Sequence, residues 1–200
     1  MNLKEKLNLL ESELIRIESP ILRLLRDSND GFDRDQTAHV LTNLGMCPLQ
    51  MLLDFYDWAT GADENILFNI NNQVKLSTIG NPAKVSITTS LYMLDATTDD
   101  FFAHRKMLPF IYNGIMEDPI LIDLSPKSKT IGALYYYSPQ VTLSVDPIMI
   151  YDSLELWIDT MLLCYSNGIY NIKPDGMLVA NVDKEIKITR ELNPHSIYWD

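Results

Sequence analysis

The sequence predicts an α+β fold, in which an antiparallel sheet meander packs against N-terminal helices and one late helix. Apolar residues recur every three or four positions up to about residue 62, which is the spacing of amphipathic helices. The pattern then shifts towards alternation in segments rich in β-branched and aromatic residues, which favours strands. Because no internal repeat or low-complexity linker divides the chain, we expect one domain over 1–200, mainly helical over 1–62 and sheet-forming with a late helix over 63–200.

Four helices are expected in the first part of the chain. The first carries an apolar stripe formed by Leu3, Leu7, Leu10, Leu14 and Ile17. Ser19 and Pro20 end this helix and begin the second, because Ser caps a helix and Pro is tolerated in the first turn. A third helix is expected over 34–44 and a fourth over 48–61, each with a glycine as its end signal.

The rest of the chain is expected to form short strands and two further helices. A short helix should follow Asp95, and a longer one should begin at Ser153 and end at Gly168. Asn113 and Gly114 tolerate positive φ and therefore predict a hairpin. The strands are expected at 66–70, 85–89, 108–112, 119–124, 130–137, 141–145, 177–181 and 186–189, the last two as a hairpin.

Composition bounds the class of partner. The chain is 46% hydrophobic and carries a formal net charge of −11. A chain of this length buries on the order of 70% of its unfolded surface, so its core needs no disulfide or metal. Nucleic acids and anionic membranes are bound chiefly through Lys and Arg, so the charge argues against both. It favours a basic protein partner, since opposite charges accelerate association; solubility alone is the alternative explanation.

Cysteine usage and hydropathy indicate the compartment. Cys47 and Cys164 lie far apart in apolar stretches and match no metal-binding or redox spacing. We expect two buried thiols in a reducing cytoplasm, a single disulfide being the alternative. Charges interrupt the N-terminal apolar pattern, which argues against a signal peptide, and no stretch approaches the roughly 20 apolar residues that span a bilayer. The sequence therefore predicts a soluble, cytoplasmic protein.

Motifs for catalysis or metal binding are weak. The segment DSNDGFDRD resembles a calcium loop, but Gly31 stands fifth where an EF-hand needs it sixth, and Ala38 occupies the position of the bidentate Glu. The three histidines, His39, His104 and His195, form no pair one helical turn apart. No nucleophile elbow and no glycine-rich phosphate loop occurs. We therefore expect no catalytic residue, no metal, no cofactor and no enzymatic activity.

Acidic pairs and tyrosines form the predicted partner surface. The acidic pairs lie at a predicted helix start and a predicted turn, where water keeps both carboxylates ionised, so an acid–base pair is the less favoured reading. Exposed tyrosine beside acid suits recognition, because the ring adds contact area at a low entropy cost. For the tyrosines we favour the structural interpretation, in which Leu134 and Tyr136 pack under the helix while Tyr135 and Tyr137 cover the other side of the sheet; recognition is the alternative. The candidate partner-binding residues are Asp99, Asp100, Tyr112, Glu117, Asp118, Tyr135 and Tyr137.

Two stretches resemble the SUKH superfamily, the Smi/Knr group of proteins. The first is LGMCPLQMLLDFYDWATGAD at 44–63, with Leu-Gly, then Pro, then an apolar helix that ends in aromatic residues and Gly. The second is FFAHRKMLPFIYNGIMEDPILIDLSPKSKTIGALYYYSP at 101–139, similar to the central strand meander of the family. The chain departs from the pattern in two places: its turn has one glycine, Gly114, and the Asn before Gly61 is missing.

The resemblance implies a non-enzymatic domain that binds other proteins. Bacterial members are regarded as immunity proteins that neutralise toxins, often nucleases, whereas fungal members regulate cell-wall glucan synthesis. An acidic protein suits a basic nuclease, because carboxylates stand in for phosphates. The chain lacks the long disordered arms of the fungal regulators, so we expect an immunity protein. The alternatives are a small-ligand or peptide-binding regulatory module and a hydrolase with an unrecognised acid pair; the toxin, the subgroup and the oligomeric state stay open.

Overall fold

Helices come first along the chain and an antiparallel sheet follows. The computed structural model describes residues 1–26, 32–59, 76–79, 91, 94, 101–111 and 119–199. In these ranges the helices are α1 (Leu3–Arg16), α2 (Ile21–Arg26), α3 (Arg34–Asn43), α4 (Gln50–Trp58), α5 (Phe101–Arg105), α6 (Pro139–Thr142), α7 (Leu154–Ser166) and α8 (Val182–Leu192). The strands are β1 (Met107–Ile111), β2 (Ile120–Asp123), β3 (Leu134–Tyr136), β4 (Ile148–Tyr151), β5 (Tyr170–Ile172) and β6 (Leu178–Ala180). The predicted α+β fold class is confirmed.

Local signals set the helix boundaries. Asn2 and Asp33 each form a capping box. The side chain of the capping residue accepts from the N–H of the third helical residue, and the side chain of that third residue accepts from the N–H of the capping residue. Ser153 caps α7 with the first of these two bonds only, by accepting from the Leu156 N–H at 3.1 Å. The predicted apolar stripe is confirmed for Leu3, Leu7, Leu10 and Leu14, which are buried in α1, whereas Ile17 lies just after the helix and is half-buried.

In the part of the chain that the structure describes, the main sheet has four antiparallel strands in the order β1-β2-β3-β4. In register, Met107 lies opposite Asp123 and Leu121 lies opposite Tyr135. Directly paired residues and residues two apart share one face of a sheet, so these four side chains lie on the same face. The opposite face carries Leu108, Ile122 and Leu134, all buried. β5 and β6 form a separate two-stranded sheet.

The helices and the main sheet share one aromatic core. α1 packs against α4 and α7, and α7 also contacts β4, β5 and α8. Phe55 of α4, Phe110 of β1 and Trp157 of α7 meet at ring-centroid distances between 5.2 and 6.1 Å. Trp157 is 1% exposed, so its ring is surrounded by side chains from three elements. No helix in the described ranges has the length and apolar character that a membrane crossing requires.

The C-terminal segment runs along β4, the edge strand of the sheet. The Ser196 hydroxyl donates to the Met149 carbonyl at 2.9 Å, and the Trp199 indole N–H donates to the Ile150 carbonyl at 2.7 Å. The buried side chain of Asn193 accepts from the backbone N–H of Asp152 at 3.0 Å. These side chains satisfy backbone groups that an edge strand would otherwise present for aggregation.

One strand prediction is right except for its start, and two are wrong, for local reasons. Residues 130–132 form a turn, in which the Ala133 N–H bonds the Thr130 carbonyl, so β3 begins at Leu134. The alternating run at 141–145 belongs to α6 and the loop after it, and β4 starts only at Ile148. Residues 186–189 lie in α8, which buries the polar residues Glu185 and Thr189 on its inner face. The apolar periodicity of a sequence does not reveal a helix whose buried face is polar. Because 186–189 are helical, β6 has no partner strand there and pairs with β5.

Several sequence predictions fall outside the described residues. These are the strands at 66–70 and 85–89, the helix after Asp95, the hairpin turn at Asn113–Gly114 and the polar turn after α2. The two strands that flank the predicted hairpin turn do pair antiparallel, as β1 and β2. Cys47 and Cys164 are free thiols, so the disulfide alternative is wrong; the predicted burial is confirmed for Cys164, whereas Cys47 is half-buried.

Two glycines offer a matched test of backbone strain against close packing. Gly132 has φ +87°, and a Cβ there would lie 3.3 Å from Leu49 Cδ1; Gly168 has φ +63° and open space around it. We expect Gly168→Ala to lower the free energy of unfolding by about 1 kcal/mol through strain alone. Gly132→Ala should lower it by about 2 kcal/mol, because Leu49 must also move. Urea unfolding of both variants measures the difference; equal losses would show that the contact with Leu49 is unimportant.

Candidate binding site

The structure describes two of the seven predicted partner-binding residues, Tyr135 and Tyr137. The ring of Tyr137 packs edge-on against Phe102 at 5.0 Å and lies 5.6 Å from Phe101, so this tyrosine fastens α5 to the sheet. Tyr135 lies half-buried in a cleft on the same sheet face. The other five, Asp99, Asp100, Tyr112, Glu117 and Asp118, lie outside the described residues.

The cleft is a polar depression of about 290 Å³ on the sheet face that bears Met107, Asp123 and Tyr135. Its remaining lining comes from Arg105 at the end of α5, from Ser125, Ser128 and Thr130 in the β2–β3 connection, and from Pro147 just before β4. We call this depression the polar cleft. Four chain segments meet there because the meander brings the ends of β1 and β2 beside β3.

A buried carboxylate organises the floor of the polar cleft. Asp123 is 5% exposed and accepts from the Ser125 N–H at 2.9 Å, from the Thr130 hydroxyl at 3.0 Å and from the Ser128 hydroxyl. The Tyr135 hydroxyl donates in turn to Thr130 Oγ1 at 2.8 Å. The hydroxyl protons of Ser128 and Thr130 therefore point towards Asp123 and that of Tyr135 points towards Thr130, which leaves lone pairs of the Tyr135 oxygen for the cleft. Within the described part of the chain, no cation lies within ion-pair distance of Asp123.

Arg105 stands at the rim of the polar cleft, but its charge is balanced. Its guanidinium bonds the carboxylate of Asp146 at 2.8 Å and lies 4.3 Å above the ring of Phe101. Burial raises the pKa of the Tyr135 hydroxyl, with the negative charge of Asp123 as a smaller contribution in the same direction. Tyr135 thus stays protonated at neutral pH and acts as a hydrogen-bonding group rather than a base.

Beside the polar cleft, the β3–β4 connection exposes three aliphatic side chains. Val141 is 68% exposed, Leu143 is 91% exposed and Val145 is 73% exposed. We call these three residues the apolar knob. Single exposed apolar residues are ordinary on a protein surface. Three such side chains within five consecutive residues concentrate apolar surface in one connection, and exposed apolar surface of this kind marks interaction sites.

The polar residues between them hold the loop in shape. The Thr142 hydroxyl donates to the Ser138 carbonyl at 2.8 Å, and the Ser144 hydroxyl donates to the Asp146 carbonyl at 3.1 Å. Leu143 adopts φ +54°, in the left-handed region that a branched side chain such as leucine rarely occupies. The connection therefore directs its polar groups to its own backbone and its apolar groups to solvent. Strain of this kind often accompanies function.

Further apolar surface lies at the same end of the sheet. Tyr136, where the chain leaves β3, pairs in register with Ile148, where it enters β4. The ring of Tyr198 lies 5.8 Å from that of Tyr136, and the neighbouring Ile197 is 71% exposed. The C-terminal segment thus extends the apolar surface on one side of the β3–β4 connection.

A second group of ionisable side chains is buried away from solvent. Glu185 of α8 is 1% exposed and accepts from the hydroxyls of Tyr170 and Thr78. Burial raises the pKa of Glu185, and it raises the pKa of the neighbouring Cys164 thiol to about 12. The Tyr165 hydroxyl donates to the Leu76 carbonyl at 2.7 Å. These bonds fasten residues 76–79 to α7 and α8, so the cluster is structural.

Sequence reasoning named Tyr135 as a candidate but did not predict the polar cleft that it lines or the apolar knob. The alternation at 141–145 was visible, but it predicts a buried strand unless the flanking Pro139 and Pro147 are read as loop boundaries. Asp123 lies inside the quoted ILIDLSP segment, and its spacing to Ser125 is typical of a side chain that bonds its own turn. Asp123 lies near Tyr135 and Arg105 because of strand pairing, and no local sequence pattern predicts that proximity.

Among the residues that the structure describes, no three His, Cys, Asp or Glu side chains group as ligands for a metal ion. Comparison with protein-family models, with curated proteins and with solved structures gives no significant match.

Proposed function

We propose that this protein is a non-enzymatic protein-binding domain that docks its partner on the apolar knob. The observation that carries the proposal is the outward orientation of Val141, Leu143 and Val145 on a loop stiffened by its own polar side chains. A preformed apolar surface loses little conformational entropy on binding, which favours affinity. A standard interface buries about 800 Å² on each side, which is more than three side chains supply. The knob would therefore form the centre of a larger interface, where the residues that contribute most to affinity usually lie.

Charge favours a basic partner over a second copy of the chain. At a net charge of −11, two copies repel each other, whereas a basic protein is steered towards the surface. Exposed carboxylates near the knob, such as Asp146, would then lie at the interface rim. The predicted acidic residues Asp99, Asp100, Glu117 and Asp118, with Tyr112, remain candidates for that rim.

The same charge and the resemblance to the SUKH superfamily support a more specific proposal. In it, the protein is an immunity protein that neutralises a cognate bacterial toxin in the cytoplasm by direct binding. A nuclease is the toxin class that an acidic inhibitor fits best, because nucleic-acid-binding surfaces are rich in Lys and Arg. The proposal needs no catalytic residue, metal or cofactor in this chain.

The polar cleft favours a second candidate, a small-ligand or peptide-binding regulatory module such as a regulator of cell-wall synthesis. Its volume of about 290 Å³ is at the lower limit of ordinary ligand sites, and its lining is more polar than most of them. The two candidates make different demands on the molecule: the first needs the knob, and the second needs only the cleft.

Replacing Leu143 with glycine tests the proposal. The substitution removes the most exposed apolar side chain, and glycine adopts the φ of +54° without strain. We expect the free energy of unfolding to stay the same or to rise slightly, while the affinity for the partner falls at least tenfold. Tagged wild type and the tagged variant are each expressed in the native host and purified at low and high salt. Mass spectrometry then identifies and quantifies the proteins that copurify in stoichiometric amounts with each.

Val182→Ala is the matched control, because Val182 is an exposed aliphatic residue on α8, outside the knob. It should leave recovery of the partner unchanged. A basic toxin domain that is recovered with wild type and the control, is lost with Leu143→Gly and is released as salt rises would support the proposal. Equal recovery by all three proteins would contradict docking on the knob.

A further inference from the structure

The polar cleft carries an inference that deepens the proposed function and rests on it for the source of the ligand. The cleft adjoins the apolar knob: Pro147 lines it, and Asp146 from the same connection pairs with Arg105 at its rim at 2.8 Å. A partner docked on the knob therefore lies next to the cleft. The question is which chemical group of a basic partner the cleft would accept.

Three features of the lining select a cation. The carboxylate of Asp123 is buried and is bonded only by neutral donors in the described part of the chain. Tyr135 donates its proton inward to Thr130, so its oxygen offers lone pairs to the cleft. The Ser125 hydroxyl bonds no group in the described part of the chain and can accept as well.

The positive charges nearby do not reverse this preference. Arg105 is already balanced by Asp146. Lys127 and Lys129 belong to the β2–β3 connection, but both are exposed and neither lines the cleft. Water and salt screen exposed charges far more than buried ones, so the field inside the cleft is dominated by Asp123.

We infer that the polar cleft is a binding site for a primary ammonium group on an alkyl chain, which the proposed function identifies as a lysine side chain of the partner. The alkyl stem lies against Met107 and Pro147, and the ammonium donates to the oxygens of Tyr135 and Ser125 near the Asp123 carboxylate. The site suits the ammonium of lysine better than the guanidinium of arginine. Its acceptors are single oxygens from different elements, whereas a guanidinium binds best to a planar pair of acceptors.

Butylammonium chloride, sodium butyrate and 1-butanol test the inference on the full chain without the partner. Backbone amide NMR spectra recorded during each titration report binding at Ser125, Ser128 and Thr130. We expect saturable binding of butylammonium with a dissociation constant on the order of millimolar, given its few heavy atoms, and no saturable binding of the other two. Saturation by butyrate but not by butylammonium would overturn the inference.

Two variants and one control assign the site. Asp123→Asn should raise the dissociation constant for butylammonium at least tenfold, and Tyr135→Phe should raise it about threefold. Asp175→Asn, at an exposed position of the β5–β6 turn, makes the same change in net charge and should have no effect. Thermal unfolding shows whether each variant is folded. If Asp123→Asn is not folded, the affinity of Tyr135→Phe for butylammonium tests the site instead. Unchanged affinity in a folded Asp123→Asn or Tyr135→Phe variant would refute the site.

The two proposals fail in different ways. If Leu143→Gly loses the partner and butylammonium does not bind, docking on the knob stands and the ammonium site is wrong. If butylammonium binds and Leu143→Gly retains the partner, the ammonium site stands and docking on the knob is wrong.

Discussion

Replacing Trp157 with alanine is expected to lower the free energy of unfolding by about 3–5 kcal/mol. Trp157 is 1% exposed, and its ring joins Phe55 of α4 and Phe110 of β1 into one cluster. Alanine would lose the apolar transfer energy of the indole and leave a cavity that three rigid elements cannot close. Because native domains are stable by only about 5–15 kcal/mol, the variant should be near the limit of folding.

Urea unfolding followed by circular dichroism measures this loss. Leu163→Ala is the matched control, because Leu163 lies on the same helix and is 41% exposed. It should cost less than about 1 kcal/mol. Similar losses in both variants would mean that Trp157 contributes no more than an exposed residue of the same helix, and the described packing would then be wrong.

Replacing Glu185 with alanine is expected to lower the free energy of unfolding by about 2–3 kcal/mol. The buried hydroxyl of Tyr170 and the hydroxyl of Thr78 would each lose their acceptor, and an unsatisfied buried donor costs roughly 1–3 kcal/mol. Glu185→Gln keeps an acceptor oxygen of the same shape and should stay within about 1 kcal/mol of wild type at pH 7. Chemical unfolding compares the two; equal losses would show that hydrogen bonding to Glu185 is not the stabilising interaction.

The same residue should make stability depend on pH. Burial raises the folded-state pKa of Glu185 above its ordinary value of about 4.3. Between these two pKa values the folded chain holds more protons than the unfolded chain, so the free energy of unfolding falls as pH rises through this window. Tyr151, Tyr170 and Cys164 face this carboxylate but have raised pKa values of their own and stay neutral there.

Wild type minus Glu185→Gln isolates this dependence, because all other acids titrate in both proteins. The difference in unfolding free energy should favour wild type most at low pH, decline as pH rises through the window and level off above the folded-state pKa of Glu185. A difference that is constant with pH would contradict a raised pKa.

The sequence alone determined the parts of this fold that depend on local patterns. The stripe of Leu3, Leu7, Leu10 and Leu14 predicts α1 because a helix places such residues on one side. Ser153 and Gly168 mark the ends of α7 because capping is a contact within one turn. The meander of β1, β2 and β3 follows from short connections between apolar runs, although the start of β3 was placed too early.

Only the tertiary structure decided what each face meets. The inner face of α8 can be polar because Glu185 accepts hydrogen bonds from Tyr170 and Thr78 there. The periodicity of apolar residues in the sequence does not predict such partners. The alternation at 141–145 faces solvent because local hydrogen bonds of Thr142 and Ser144 compete with strand pairing. Asp123, Tyr135 and Arg105 share a cleft through strand register and the position of α5. Local sequence encodes which side of an element is apolar, whereas long-range pairing determines its neighbours, and the candidate binding sites belong to that second level.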